Sequence, residues 1–328
     1  MAVMIRSTGS FVPDNRYSND QLSAIVDTTD EWIRSHTGIG ARHIAPDGTM
    51  TSDLALGAAK AALEKAGIGP EEIDYIAVAT ASPDYFGFPA TACIVQDKLG
   101  ASKAAAFDVV AGCTGFIYAL DTVSAMLEAR KARYGLAIGA ETLSRIADWA
   151  DRSTCVLFGD GAGCAVLENA EAETDRGLKA SILGSDGGGA LDLYLAQGMR
   201  DKTFDRGEPY PDFPKIVMNG KNVYNFAVKA ITKLIADLLD KSGIPLEEFR
   251  WIVPHQANLR IVQAAAKRFG LSEDRFYLNI QEYANTSAAS VPIALAEIGE
   301  KGLVKPGDPI MLLGFGAGLT FGGSVLRY

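Results

Sequence analysis

Ala104-Ala105-Ala106-Phe107-Asp108-Val109-Val110-Ala111-Gly112-Cys113-Thr114-Gly115-Phe116 reads as a short apolar strand that breaks at a glycine-flanked turn. The run from Thr114 to Arg130 then has helical spacing, and Leu136 to Ala140 reads as the next strand. A strand, a helix and a further strand imply a right-handed βαβ crossover and parallel pairing. Upstream, Thr51 to Ala66 reads as a helix stopped by Gly67, Ile76 to Thr80 as a strand and Ala90 to Leu99 as a helix. Downstream the plan repeats: a long helix around Val223 to Leu239, a strand from Arg250 to Val253, a helix from Leu259 to Phe269 and a small-residue helix after Ser287. A last strand pair, Pro309 to Leu313 and Gly323 to Arg327, flanks the turn Gly314-Phe315-Gly316-Ala317-Gly318. The expected fold is α/β, with mixed, mostly parallel sheets in two similar halves, residues 1–170 and 171–328, whose loops meet at one centre. Gly187 to Pro214, rich in glycine, proline and aromatics, reads as a cap or binding loop.

With 328 residues, 48% of them hydrophobic, the chain can bury a large core. Nothing at the start reads as a signal peptide, and no stretch approaches the roughly 20 apolar residues of a membrane span. Cys93, Cys113, Cys155 and Cys164 are irregularly spaced and accompanied by only three histidines, which argues against a disulfide framework or a metal site and for reduced thiols in a cytoplasmic protein. The net charge of −9 disfavours nucleic acid or an anionic membrane as partner.

Cys113 is placed where the free amides and positive end of a helix favour a thiolate, the setting of a nucleophilic cysteine; a small buried apolar role is the alternative. Packing is the reading for the other three cysteines. His255, in Val253-Pro254-His255-Gln256-Ala257-Asn258, follows an apolar strand, where α/β folds display functional groups. His36 and His43 read as loop residues at the surface. Asn285 reads as a helix cap whose amide can still face a site. Arg260, Lys267 and Arg268 share one helical face, either solvated or a docking surface.

Taken in order, Asp30-Glu31-Trp32, Gly112-Cys113-Thr114-Gly115-Phe116, Phe158-Gly159-Asp160-Gly161-Ala162-Gly163, Val253-Pro254-His255-Gln256-Ala257-Asn258, Asn285-Thr286-Ser287-Ala288-Ala289-Ser290 and the terminal glycine turn make the chain resemble β-ketoacyl-ACP synthase III over nearly its whole length. The resemblance implies a thiolase fold in αβαβα layers and a homodimer. It implies that Cys113 takes an acyl group from acyl-CoA and that the acyl group is condensed decarboxylatively with malonyl-ACP, initiating fatty acid synthesis. His255 and Asn285 would donate to the enolate oxygen, and the amides of Cys113 and of the Gly316-Ala317 turn would hold the tetrahedral oxyanion. Trp32 and Arg152 match positions that sandwich adenine; Thr28, Gly220 and Asn258 match contacts to nucleotide and pantetheine. Phe88 resembles a residue lining the partner's acyl pocket, and Arg260, Lys267 and Arg268 would meet the acidic carrier. Coenzyme A thioester enters as substrate, and no tightly bound cofactor or metal is implied.

The chain departs from the family pattern at His36, where arginine is common, at Ala317, where many relatives have glycine, and at Asn225, which replaces a basic residue. Other readings are a secondary-metabolism relative using the same acyl-Cys113, a degradative thiolase, a nucleotide-binding module and a silent acyl-binding protein. No cysteine follows Cys164 to supply the second thiol of a thiolase, and Gly159 to Cys164 breaks the G-x-G-x-x-G spacing.

Overall fold

The computed structural model of the chain describes residues 2–170, 175–196 and 215–328. Two sheets form its frame. A five-stranded sheet has the order Ala2–Phe11, Asp160–Ala170, Tyr134–Thr142, Ile73–Ala79, Ala105–Val109; a four-stranded sheet has the order Trp251–Pro254, Pro309–Gly316, Thr320–Arg327, Gly177–Ser185. Helices Gly115–Arg130 and Ser290–Glu300 lie between the sheets, sharing one core with both: Phe116, Ile117, Leu120, Val291 and Leu295 pack with Ala77, Leu167, Ile310 and Leu312. Thr51–Ala66 and Thr91–Leu99 cover the outer face of the first sheet, and Gly220–Ser242 and Leu259–Phe269 that of the second. The result is the expected αβαβα layering.

Local sequence explains the layers. In Thr51–Ala66 the buried residues Leu54, Ala55, Ala58, Ala59, Ala62, Leu63 and Ala66 recur at helical spacing, and their small side chains let the helix lie close to the sheet. The helix stops at Gly67, which takes a left-handed backbone (φ 66°) and donates its N–H to the Glu64 and Leu63 carbonyls. Tyr134–Thr142 is buried along its whole length because helices cover both its faces, so it shows a continuous apolar run rather than alternation.

Parallel pairing is less extensive than expected. It joins Ile73–Ala79 to Ala105–Val109 and to Tyr134–Thr142, and Trp251–Pro254 to Pro309–Gly316. The remaining pairings in the two sheets are antiparallel: the last strand pair forms a hairpin, and strands absent from the sequence reading, Ala2–Phe11, Asp160–Ala170 and Gly177–Ser185, enter as antiparallel neighbours. Asp160–Ala170 opens with the glycines of the Phe158-to-Gly163 motif. They are small because helix Ser290–Glu300 rests directly on the strand: a Cβ on Gly163 would lie 2.6 Å from the Ile293 nitrogen. The Gly187 to Pro214 loop is also partly regular, with a 3-10 turn Gly187–Asp192 and a strand Leu193–Leu195 paired to Ile216–Met218; residues 197–214 lie outside the described residues. Among the described residues no helix is long and apolar enough to cross a membrane.

Candidate active site

Cys113 lies in a 3-10 turn, Gly112–Thr114, that runs directly into helix Gly115–Arg130. The turn is held against the last hairpin. A Cβ on Gly316 would fall 2.7 Å from the Cys113 Cβ and 3.0 Å from its Sγ, so only glycine allows this approach. The Thr320 hydroxyl is in donor reach of the Ala111 carbonyl at 2.8 Å and the Ala317 carbonyl at 2.9 Å, pinning the two turns together. Hydrogen bonding from the backbone amides of Ala317 and Cys113 lowers the proton affinity of the Cys113 sulfur. Ala317 is absent from the residues with positive φ, so alanine carries no backbone strain there and the departure from glycine preserves its amide.

The sulfur does not sit as a thiolate at rest, contrary to the expectation drawn from the helix start. Burial pushes the Cys113 thiol up to about 11, and the negative charge of Glu141 acts in the same direction; hydrogen bonds from the Ser287 side chain and the two amides oppose this without cancelling it. The thiol is protonated at neutral pH.

His255 follows strand Trp251–Pro254, is 1% exposed and packs its ring edge-on to Phe315. Its Nδ1 lies 2.7 Å from the Ser290 Oγ. Ser290 has one hydroxyl proton and two places to put it, the Ser287 carbonyl at 2.9 Å or His255 Nδ1. When it donates to Nδ1, Nε2 carries the ring proton and becomes a donor. Burial pushes the imidazole down to about 3, so it is neutral through the ordinary pH range. In the unfolded chain the same ring takes its proton near 6.5. As pH falls from about 6.5 towards 3 the unfolded state therefore binds the proton first, and stability drops by about 1.4 kcal/mol per pH unit from this group. Chemical denaturation over that range should show His255→Gln with a flatter acid limb than the parent.

Asn285 is anchored through its backbone, with its N–H on the Leu157 carbonyl at 2.9 Å and its carbonyl accepting from Gly159 at 3.1 Å. Its Oδ1 accepts from the Ser287 N–H at 2.8 Å, which leaves Nδ2 as the donor available to the cavity. This is a tight turn within the loop; the cap of the following short helix is Thr286.

Cys113, His255 and Asn285 line one cavity of about 340 Å³, together with Gly316, Ala317, Trp32, His36, Gly220 and Asn258. Apolar residues of the short hairpin, Leu193, Leu195, Ile216 and Met218, complete its wall. The cavity thus runs from the exposed His36 to the buried Cys113. Outside the wall, the Arg152 guanidinium lies 5.3 Å from the Trp32 ring centroid and donates to the Asp27 carbonyl at 2.9 Å. His36 is helical rather than in a loop, and its ring stacks on Trp32 at 4.5 Å. Thr28 carries a buried hydroxyl with no partner. His43 is half-buried, with Nδ1 2.6 Å from the Pro13 carbonyl.

Of the other expected site residues, Phe88, Arg260, Lys267 and Arg268 stand outside the cavity wall. Phe88 is 91% exposed, beside the exposed Tyr85 and Phe86, and belongs to no core. Arg260 donates to the Ser35 carbonyl at 2.8 Å, and Asn258 Nδ2 donates to the His36 carbonyl at 3.0 Å, so both tie the Trp32 helix to the His255 loop. Lys267 and Arg268 are exposed in the last helical turn, where they also offset the helix dipole. Asn225 and Lys229 are exposed on the long helix, while Lys233 pairs with Asp237. Cys155 and Cys164 are buried, as expected, but Cys93 is exposed. Sequence reasoning missed Ser290, Ser287, Thr320 and Glu141; the first two stand in the quoted Asn285 motif, and nothing local marks the others.

Residues 107–187 match the family described as 3-oxoacyl-[acyl-carrier-protein (ACP)] synthase III, and residues 239–328 match its C-terminal part. The β-ketoacyl-[acyl-carrier-protein] synthase III of Clostridium acetobutylicum is 46% identical over 327 residues, covering 100% of this chain and 99% of that protein. The chain belongs to the β-ketoacyl-ACP synthase III family. It is accordingly an enzyme, a condensing acyltransferase. Among solved structures of β-ketoacyl-ACP synthase III, the Aquifex aeolicus protein superposes with a TM-score of 0.91 at 41% identity, covering 99% of this chain and 100% of the other. A priming β-ketosynthase of the R1128 polyketide pathway superposes equally, TM-score 0.91, at 33% identity, covering 99% and 96%.

Proposed function

We propose that the chain accepts an acyl group from acyl-CoA on Cys113, releases coenzyme A, and condenses the acyl group with malonyl-ACP to give β-ketoacyl-ACP, the first condensation of fatty acid synthesis. The observation that carries this reading is the convergence of Cys113, His255 and Asn285, from distant parts of the chain, on one largely apolar cavity. Decarboxylation of the malonyl group leaves an enolate, and His255 Nε2 and Asn285 Nδ2 are the donors available to its oxygen. The carbanion attacks acyl-Cys113, and the amides of Cys113 and Ala317 receive the tetrahedral oxyanion. Gly316 permits that geometry by its lack of a side chain. No resident cofactor or metal takes part in this scheme.

Trp32, Arg152, Thr28, Gly220 and Asn258 are assigned to coenzyme A. The unpartnered Thr28 hydroxyl and the stacked Trp32 face support this. An adenine between Trp32 and Arg152 needs about 7 Å between them, two van der Waals contacts, so the guanidinium must withdraw from its present 5.3 Å. The two-half organisation, 1–170 and 171–328, is supported by a five-stranded sheet drawn only from residues before 171 and a four-stranded sheet only from residues after it. Lys267 and Arg268 are assigned to carrier docking, with Arg260 setting their helix. Free thiols and acyl-CoA use suit a cytoplasmic enzyme.

A homodimer is assigned on four exposed apolar residues, Val110 directly after the edge strand Ala105–Val109 and Tyr85, Phe86 and Phe88 in the segment before Thr91, whose N–H donates to Asp108 of that strand. Phe88→Asp should shift the protein to a monomer in light scattering; an unchanged mass would count against this interface.

Incubation with acetyl-CoA followed by peptide mass spectrometry tests the loading step: a thioester on Cys113 is expected, and an unmodified Cys113 would refute it. Added malonyl-ACP should then yield β-ketoacyl-ACP. Loading without that product would favour the secondary-metabolism reading.

A further inference from the structure

The segment that carries Asn285 follows an unfavourable backbone path. Ala284 (φ 57°) and Ser287 (φ 47°) are two of the three non-glycine residues with positive φ among the described residues, and they bracket Asn285. Such conformations persist only where the surroundings hold them. On one side the Asn285 backbone is held by Leu157 and Gly159. On the other, the 3-10 turn Ser287–Ala289 has no local side-chain cap: the Thr286 hydroxyl makes no cap hydrogen bond and, although buried, has no partner among the described residues. The Ala288 amide donates instead to Oε1 of Glu141, at 3.4 Å.

Glu141 comes from strand Tyr134–Thr142, is fully buried, and has no task in the scheme above. Four further donors reach its carboxylate from the turn after strand Ile73–Ala79: Ser82 Oγ at 2.5 Å, the Ala81 and Ser82 amides at 3.1 Å and Thr80 Oγ1 at 3.2 Å. These fix the carboxylate, so that Oε1 meets Ala288 from a rigid post. The strand is also the bed on which the segment lies, since a Cβ on Gly139 would fall 2.1 Å from the Ala288 carbonyl oxygen. Asn285 and Ser287 line the cavity, whereas Glu141 does not.

Resting on the reading of Asn285 as a donor to the enolate oxygen, we propose that Glu141 is a positioning residue for condensation, capping the Ser287–Ala289 turn from the neighbouring strand and so aiming the Asn285 amide. The linkage is short. Asn285 Oδ1 accepts the Ser287 N–H at 2.8 Å, which orients the side chain, and Ser287 is the first residue of the capped turn. Without an acceptor on the Ala288 amide, Ser287 is free to relax from φ 47°, and Asn285 Nδ2 turns with it. A carboxylate suits this post because both its oxygens accept only, matching a ring of donors. His255 is held separately, through Ser290 at the start of helix Ser290–Glu300, whose Val291, Ala294 and Leu295 sit in the core between the sheets.

The test is a double-mutant cycle read in single turnovers. Starting from acyl-Cys113, Glu141→Ala should condense with malonyl-ACP about 100-fold more slowly than the parent, the loss that an ångström-scale displacement brings. Acylation of Cys113 by acetyl-CoA should stay within about threefold of the parent, because loading makes no use of Asn285. In an Asn285→Ala background the same substitution should alter condensation by less than about twofold, since the group it positions is gone. Losses that multiply in the double variant, loading that falls together with condensation, or Glu141→Ala condensing at the parental rate would each overturn the positioning role. Should Glu141→Ala not fold, Glu141→Gln decides by the same criteria with about a tenfold loss, because its amide sets a donor among donors. An Asn285→Ala enzyme that condenses at the parental rate removes the enolate reading of Asn285 itself, and the role of Glu141 with it.

Discussion

Cys113→Ala is expected to give a folded protein that takes up no acyl group and turns over at least ~10⁴-fold more slowly than the parent. The fold should survive because the side chain becomes smaller in a turn secured by other contacts, those of Thr320 to Ala111 and Ala317. Activity should not, because the substitution removes the sulfur to which the acyl group is assigned. Cys113→Ser keeps a nucleophile of a kind, but its hydroxyl is a far weaker one, and it should lose covalent loading too. Intact-protein mass spectrometry after exposure to acetyl-CoA, with circular dichroism to check the fold, reads both variants. Condensation at the parental rate in either would remove Cys113 from its assigned role.

The elements that carry Cys113 and His255 were legible because each lies at a strand-to-helix junction, where an apolar run meets glycine or proline and the period changes. Gly112–Thr114 and the helix after it, and Trp251–Pro254 followed by Leu259–Phe269, fall close to where the pattern puts them. The strand Asp160–Ala170 was hidden by its own packing. Its glycines answer to helix Ser290–Glu300 lying on them, a demand made by residues 120 or more positions away that leaves no local strand signal. Burial of both faces of Tyr134–Thr142 likewise removes any alternation that would single out Glu141.

The same distinction applies within the site. Residue identities survive in sequence, but their electrostatics do not. The start of a helix promised an ionised sulfur at Cys113; enclosure by apolar walls and a nearby carboxylate produce the opposite resting state. Phe88 shows a related limit, since an aromatic residue next to proline suits a core as well as a surface, and only the fold shows it exposed to water. Arg260 has the spacing of a docking charge, yet it is spent on a carbonyl at the end of the Trp32 helix.

His255→Ala is expected to separate the two half-reactions. Loading needs the Cys113 sulfur and its amide donors, none of which comes from His255, so acetyl-CoA should still acylate the variant. Condensation needs a donor on the enolate oxygen, and loss of one preorganised donor costs about 10²- to 10³-fold. The donor has to be neutral: with its proton affinity near 3, the imidazole stays uncharged down to mild acid, so the condensation rate should show no limb from this residue around neutrality. Ser290→Ala should weaken the same step without abolishing it, because the ring would remain while the partner that holds Nδ1 at 2.7 Å would be gone. Single-turnover assays that begin from acyl-Cys113 isolate condensation from loading. A His255→Ala enzyme that condenses at the parental rate, or one that no longer loads, would show that the imidazole does not act on the enolate alone.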